Sequence, residues 1–226
     1  MNKRRVLIAA IVVCLIAILA CGSLAYFTFT GAKVINEFYT YSTKDFPNGP
    51  PTDVKELFSI DVYETRLDEN GQILKNDDGT VKKFYENTYE AILPGSELHK
   101  DPTVENTGKY SAWVRLTVKV TKAEQWIDAL GKDYDLGQMF NFNGEDWHGT
   151  GAPTLANNTL TYVFYSNAPL AAGETSALFD GMTIPTSLTA EDMIALTNFQ
   201  IIIEGDAIQS DNNGTKASEG FANWDN

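Results

Sequence analysis

Few side chains in this sequence are suited to hydrolytic or redox chemistry. The two histidines are His99 and His148, and the two cysteines are Cys14 and Cys21. Neither histidine belongs to a His-Glu-x-x-His motif, which places two zinc ligands on one face of a helix. No serine stands in the Gly-x-Ser-x-Gly turn that exposes the nucleophile of many hydrolases. The sequence therefore predicts a protein that is not an enzyme.

Acidic and amide side chains are the remaining candidates for metal ligands. His148 stands near Asp146 and Glu145 in a glycine-rich stretch that could form a weak metal site. The turns at 68–70 (Asp-Glu-Asn) and 76–78 (Asn-Asp-Asp) could offer oxygens to calcium, but neither has the spacing of a calcium-binding loop. Because Asp and Asn also stabilise turns, turn chemistry accounts for both, and we expect no cofactor beyond weak calcium binding.

Aromatic residues suggest one further kind of site. Trp126, Trp147 and Tyr134 could together form a platform on which sugar rings stack. The alternative is that they pack in the core or against loops. Because one fold serves many functions, likeness to carbohydrate-binding β-sandwiches is weak support for the platform.

The N-terminus has the pattern of a secretory signal peptide. A basic start at residues 3–5 is followed by an apolar run of about 14 residues, Val6–Leu19. Ser23 and Ala25 then supply small side chains at the first and third positions before Tyr26, which predicts cleavage after Ala25. As a helix the apolar run is only about 21 Å long, short for a bilayer core of roughly 30 Å. We therefore expect contact with a signal peptidase and with the membrane only before cleavage.

Cys21 allows an alternative form of processing. The surrounding residues Ile18–Ser23 are close to a bacterial lipobox, in which a lipidated cysteine becomes the first residue of the mature protein. Leu19 fits that motif poorly, whereas the site ending at Ala25 fits a signal peptidase well. In either case residues 26–226 contain no cysteine and cannot form a disulfide.

Composition restricts the partners of the mature chain. The sequence has 17 basic and 30 acidic residues, a net charge of −13, and the leader contains three of the basic residues and none of the acidic ones. So acidic a chain is not expected to bind nucleic acid or an anionic membrane through its general field. Aromatic residues make up 12% of the sequence, which favours β-strands.

The pattern along the chain predicts about eight or nine strands and few helices. The clearest strand is Ser111–Thr121, where five apolar residues are expected to face the core: Ala112, Val114, Leu116, Val118 and Val120. Trp113, Arg115, Thr117 and Lys119 are expected on the outer face. Further strands are expected within 32–42, 57–67, 81–93, 160–165, 176–184 and 198–209, and short helices at 122–130, 189–196 and 217–224. Residues 132–156 are expected to form long loops. Since no helix recurs between strands, we predict an all-β fold with minor α content, an antiparallel two-sheet jelly-roll-like sandwich with short helices in its connections.

Four stretches in order along the chain resemble the TasA/camelysin-like family of exported Gram-positive proteins, whose leaders are processed by the SipW type of signal peptidase. They are Gly22–Thr28 at the processing junction, Leu93–Gly108 leading into the strand at 112, Leu170–Pro185, and Ala207–Gln209 after the last strand. The resemblance implies a jelly-roll domain secreted into a biofilm matrix or onto the cell surface, where it polymerises into fibres or pili. It also implies a less favoured alternative, because camelysin-type proteins have been classed as metallopeptidases.

The segment released by cleavage is the best candidate for polymerisation. An extended peptide can pair with the unpaired N–H and C=O groups of a sheet edge. Residues 26–36 suit this role through the following side chains: Tyr26, Phe27, Thr28, Phe29, Thr30, Val34 and Ile35. We therefore expect a signal peptide at 1–25, a donor strand at 26–36, a jelly-roll domain at 37–209 and a polar tail at 210–226. The alternatives are that the segment pairs with its own domain, or that the protein is a monomeric surface module that binds carbohydrate or a host ligand.

Overall fold

The computed structural model describes residues 57–225 and the backbone of residues 28–30. These residues form antiparallel sheets with a few short helices between the strands. The prediction of an all-β antiparallel sandwich with short connecting helices is confirmed. The jelly-roll topology and the domain boundaries stay predictions, and the leader and the strand expected at 32–42 lie outside the described residues.

The larger sheet has the order β1-β12-β5-β9-β7, with β8 also paired to β9, and two three-stranded sheets have the orders β10-β4-β2 and β3-β11-β6. The strands are β1 (Thr28–Thr30), β2 (Ile60–Tyr63), β3 (Glu97–His99), β4 (Thr103–Asn106), β5 (Ala112–Thr121), β6 (Phe140–Phe142), β7 (Trp147–Gly149), β8 (Thr154–Ala156), β9 (Thr159–Ser166), β10 (Thr175–Ala177), β11 (Phe179–Thr183) and β12 (Ile201–Gln209). The α-helices are α1 (Ala123–Leu130), α2 (Ala190–Ala195) and α3 (Ala217–Trp224), and a 3-10 helix covers Leu136–Met139.

Strand β5 is the centre of the larger sheet, with β12 on one side and β9 on the other. The residues predicted to face the core are all buried: Ala112, Val114, Leu116, Val118 and Val120. Trp113 was expected on the outer face, and it is also buried because α3 covers that face and packs Phe221 beside it. The larger sheet is therefore buried on both sides in this region.

The sheet formed by β2, β4 and β10 packs across the inner face of the larger sheet. Close approach occurs at Gly205 of β12, where an added Cβ would lie 2.7 Å from Val62 Cγ2 and 3.0 Å from Ile60 Cδ1. The two layers can approach this closely because glycine has no side chain. The shared core continues through Val104, which is fully buried, to the third sheet.

Three regions differ from the predicted pattern. Residues 132–156, expected as long loops, contain the 3-10 helix and three strands, β6, β7 and β8. Within 81–93, expected to hold one or two strands, there are only isolated bridges, including Glu64 with Phe84. The strand expected at 176–184 is divided into β10 and β11. Strands of three residues have too few alternating positions to give a periodic signal.

The helices follow their predicted boundaries closely. Helix α1 ends at Gly131, whose φ of 89° places it in the left-handed region that favours glycine. Helix α2 begins at Thr189, whose hydroxyl accepts a hydrogen bond from the Asp192 backbone N–H while the Asp192 carboxylate accepts one from the Thr189 backbone N–H. Of the helices in the described residues, none is long and apolar enough to cross a bilayer.

Candidate functional site

At one end of the larger sheet, the N-terminal segment pairs with part of β12. Strand β1 runs antiparallel to β12, with Thr28 opposite Ile208, Phe29 opposite Ala207 and Thr30 opposite Asp206. Three residues of the predicted donor strand therefore lie on a sheet edge of their own chain. The other predicted residues of the junction and the donor strand lie outside the described residues: Ser23, Ala25, Tyr26, Phe27, Val34 and Ile35.

Beyond β1 the edge of β12 continues without a strand neighbour. Residues 201–205 pair with β5 on one side, and on the other side no strand in the described part of the chain pairs with them. On this stretch the apolar side chain of Ile202 is 39% exposed to solvent. An edge of this kind offers N–H and C=O groups to another strand.

A groove of about 1010 Å³ adjoins this edge. Residues 201–203 of β12 form part of its wall, and the segment 84–92 lies on the lining as well. Trp126 also lines it, with its ring edge-on to Phe199 at a centroid distance of 5.1 Å. The Trp126 indole Nε1 is buried and has no hydrogen-bond partner among the described residues. The groove therefore has apolar side chains on its wall, with Trp126 packed behind them in the core.

A polar cluster on the lining of the same groove was not found from the sequence; Lys100 in it is buried, Glu64 and Asn87 are half-buried and Arg66 is exposed. The two oxygens of the Glu64 carboxylate accept hydrogen bonds from two different groups, the Lys100 Nζ and the Asn87 Nδ2 at 2.7 Å. The side chains of Lys100 and Glu64 are only 8% and 13% exposed. Arg66 Nε donates to the Asn87 Oδ1 at 2.6 Å, so both ends of the Asn87 carboxamide are held.

Thr65 and Asp101, each one position after Glu64 and Lys100, form a second polar group. Asp101 accepts hydrogen bonds from the Thr65 backbone N–H at 2.7 Å and from the Thr65 hydroxyl at 2.6 Å. His99 Nε2 lies 2.9 Å from the same hydroxyl oxygen. Because the hydroxyl proton is directed at Asp101, Thr65 is not activated as a nucleophile by His99. This group joins the end of β2 to the β3–β4 connection.

Lys83 forms a more open ionic cluster on the neighbouring strands. Its Nζ lies 2.8 Å from Asp61 Oδ2 and 2.5 Å from Glu105 Oε2, and Asp61 and Glu105 are opposite each other in the pairing of β2 with β4. Burial lowers the pKa of Lys83, but the hydrogen bonds to both carboxylates outweigh it and leave the pKa above its ordinary value. Lys83 is therefore held as an ammonium ion.

The side chains of the possible metal site around His148 take part in separate hydrogen bonds. His148 Nδ1 lies 2.6 Å from the Asn167 side-chain oxygen, whereas Asp146 accepts hydrogen bonds from Asn143 and Ser176. Across residues 57–225 no group of three or more His, Cys, Asp or Glu side chains is placed to hold a metal ion.

The acidic turns have the internal hydrogen bonds of ordinary turns. Asp68 accepts the backbone N–H groups of Gln72 and Asn70, and these bonds lower the pKa of its carboxyl. Asp78 accepts the Thr80 hydroxyl and backbone N–H, which lower its pKa in the same way. Each carboxylate stabilises its own turn, and weak calcium binding stays a prediction.

The proposed aromatic platform is not present at the surface. Trp126 is 1% exposed and Trp147 is 3% exposed, so both belong to the core. Trp147 also donates its indole N–H to Ser176 at 2.9 Å. The packing alternative is therefore the correct one for these two residues.

Comparison with protein-family models, with curated proteins and with solved structures finds no match to this chain.

Proposed function

We propose that this protein is a secreted structural subunit that assembles into extracellular fibres by donating its N-terminal strand to a neighbouring subunit. The observation that carries the proposal is the pairing of Thr28–Thr30 with the edge of β12. The edge and the segment are compatible in sequence and direction, and a second copy of the chain presents the same two surfaces. Fibre growth then requires only that a neighbour's segment replace the chain's own.

The register extends the proposed contact beyond the three paired residues. A donor strand continued in the same register would bring Val34 opposite Ile202 and Ile35 opposite Ile201, which β1 leaves without a strand neighbour. Each backbone hydrogen bond contributes about 1 kcal/mol net. Each large apolar side chain contributes about 1.5–3 kcal/mol when it is fully buried. Several such contacts give a joint of useful strength without any catalytic step.

Cleavage after Ala25 is the event that permits assembly in this proposal. Before it, the donor segment is joined to the apolar leader and cannot move to another subunit. After it, the segment is free at one end. The proposed partners are therefore other copies of the same chain, with a signal peptidase acting once during export to the cell surface or the matrix.

Engineered cysteines distinguish pairing within one chain from pairing between chains. In a chain that starts at Tyr26 and has no other cysteine, Thr30→Cys with Asp206→Cys places two thiols opposite each other. We expect a ladder of oligomers on a non-reducing gel once filaments have formed. The matched control is Thr30→Cys with Ala207→Cys, one residue out of register, where the thiols face opposite sides of the sheet and cannot join.

Truncation provides an independent test. A chain starting at Ala32 lacks the paired strand, and we expect it to stay monomeric at concentrations where the chain starting at Tyr26 forms filaments in the electron microscope. If both chains remain monomeric under all conditions and the cysteine pair closes only within one chain, strand donation is wrong. If both form filaments equally, the donor strand lies elsewhere.

The groove beside β12 favours one second candidate, a monomeric surface module that binds a ligand. A volume of about 1010 Å³ with both apolar and polar side chains on the lining is a property of a ligand site. Isothermal titration calorimetry with a panel of soluble glycans tests this function. Saturable binding by a protein that never forms filaments would favour it over assembly.

A further inference from the structure

The cluster of Lys100, Glu64 and Asn87 contains the three groups needed to form an amide bond between two side chains. We propose that the Lys100 amine reacts with the Asn87 carboxamide to form an intramolecular isopeptide bond, with Glu64 transferring the protons and Arg66 stabilising the carbonyl oxygen. The proposal is independent of fibre assembly, because all four residues belong to one domain.

One carboxylate brings the two reacting groups together. Glu64 accepts the Lys100 Nζ on Oε1 and the Asn87 Nδ2 on Oε2, so amine and carboxamide occupy adjacent oxygens of the same group. Holding two reactants side by side converts a bimolecular reaction into a unimolecular one. The positions of these side chains are fixed by β2, which ends just before Glu64, and by the β3–β4 connection, which contains Lys100.

The lysine and the carboxylate of this pair are both shielded from water. Side-chain exposures of 8% for Lys100 and 13% for Glu64 remove most of the water that stabilises separate charges. Transfer of a proton from the ammonium to the carboxylate gives a neutral amine, which can act as a nucleophile, beside a carboxylic acid.

Arg66 is placed to assist attack on the carboxamide. Its Nε donates to the Asn87 Oδ1 at 2.6 Å, and its Nη2 donates to the Glu86 carbonyl at 2.9 Å. Its guanidinium also lies 4.1 Å from the centroid of the Phe84 ring, which holds the side chain in position. A fixed cationic donor at the carbonyl oxygen stabilises the negative charge that develops there during attack.

The reaction balances without an oxidant or a second reactant. The Lys100 Nζ gives one proton to Glu64 and forms a bond to the Asn87 Cγ, while the carbonyl electron pair moves to Oδ1 beside Arg66. Glu64 passes its proton to Nδ2, the Cγ–Nδ2 bond breaks and the carbonyl reforms. The new amide nitrogen releases a second proton, and the leaving group departs as ammonium. Glu64 ends as a carboxylate, and the chain has lost one ammonia.

The Lys83 cluster is a natural comparison that lacks these features. Its lysine side chain is 28% exposed, and the two carboxylates Asp61 and Glu105 are 25% and 26% exposed. The lysine is held as an ammonium between two anions, with no carboxamide in the cluster and no cation on an accepting carbonyl. We expect it to remain ionic.

The bond would fix a part of the chain that has little regular structure. Residues 84–96 connect the bridge at Phe84 to β3 without a strand or helix of their own. An amide from Asn87 to Lys100 would attach this connection to the base of β4. In a chain without cysteine after residue 21, an amide supplies a covalent constraint of the kind that a disulfide gives other exported proteins.

Peptide mapping of the purified, denatured protein tests the proposal directly. Between Lys83 and Lys109 the only trypsin site is Lys100, and an acylated lysine is not cut. We expect a single peptide covering 84–109 that is lighter than its sequence by one ammonia. Further cleavage at Glu90 and Glu97 should leave two peptides that remain joined. A succinimide at Asn87 or Asn106 would also lose one ammonia, but it would leave Lys100 open to trypsin and would not join the two peptides.

Variants separate the roles of the three residues. Lys100→Arg and Glu64→Gln should restore the unmodified mass, with folding checked by circular dichroism. Asn87→Asp should give a cross-linked peptide of the same mass as the wild type, because it loses water to form the same amide. Lys83→Arg is the matched control and should leave the cross-link intact.

A folded wild-type protein that yields separate 84–100 and 101–109 peptides of full mass overturns the proposal, whether or not a variant unfolds. A cross-linked species whose mass is that of peptides 56–66 and 84–109 together less one water would assign the bond to Glu64 and also contradict it. A deficit that persists in Lys100→Arg does the same.

Discussion

Gly205 of β12 sets how closely the two layers of the sandwich approach each other. We predict that Gly205→Ala lowers the free energy of unfolding by about 1–2 kcal/mol. The added methyl group would lie 2.7 Å from Val62 Cγ2 and 3.0 Å from Ile60 Cδ1. Carbon atoms normally meet at about 3.5–4.0 Å, so β2 must move or its side chains must leave their rotamers.

The sign of this effect identifies its cause. In a strand without such contacts, alanine is favoured over glycine by about 0.5–1 kcal/mol. A net loss therefore requires that overlap with Val62 and Ile60 exceed that gain. Overpacking of cores typically costs about 1–3 kcal/mol, which leaves the net loss given above.

Urea unfolding of four proteins measures the overlap: the wild type, Gly205→Ala, Val62→Ala and the double variant. Val62→Ala alone should cost about 1–2 kcal/mol, since it removes two methyl groups from a half-buried site. The double variant should be more stable than the sum of the single effects by at least about 0.5 kcal/mol. Gly144→Ala, where an added Cβ meets nothing within 4 Å, is the control. A stability gain in Gly205→Ala, or strict additivity with Val62→Ala, would refute the reasoning.

Three further predictions concern buried polar groups. Arg115→Lys should cost about 1.5–3 kcal/mol in urea unfolding and increase hydrogen exchange in α3, because lysine cannot replace the guanidinium that bonds Asp206 and stacks on α3; unchanged exchange contradicts this. Trp126→Phe should be less destabilising than Trp147→Phe by about 1–3 kcal/mol, since only the Trp147 N–H has a partner; equal losses would argue against it. Burial raises the pKa of Tyr162 above the ordinary 10.0, so its contribution to stability is complete below pH 10 and is lost as pH rises toward its folded pKa. Tyr162→Phe should flatten that alkaline loss in unfolding curves, and an unchanged curve would exclude the assignment.

The elements that could be predicted from the sequence are those long enough to show a period. Strand β5 has five apolar positions in alternation, and all five are buried. Trp113 was placed wrongly because the pattern of one strand does not show that a helix about a hundred residues later covers its other face. The short strands β6, β7 and β8 give no such pattern, since each has only three residues.

The polar cluster could not be predicted because its members are far apart in the chain. Glu64 and Lys100 are separated by 36 positions, and Glu64 and Asn87 by 23. No local motif joins them, and each residue type is common on protein surfaces. Only the close approach of β2 to the β3–β4 connection brings them together. By contrast, hydrolase motifs and the turns at 68–70 and 76–78 depend on residues that are neighbours in the chain. The sequence alone could therefore be searched for both.

The order of the strands has a consequence for the timing of folding. The central strand β5 lies near the middle of the chain, and its partner β12 comes about eighty residues later. Helix α3, which covers Trp113, is the last element of the described chain. Contacts so distant in sequence form slowly, because the intervening chain must first be closed into a loop. During synthesis the larger sheet therefore cannot close until almost the whole chain has emerged. For the export proposed above, this delay would be an advantage, because a domain that closes last does not block its own passage through a membrane.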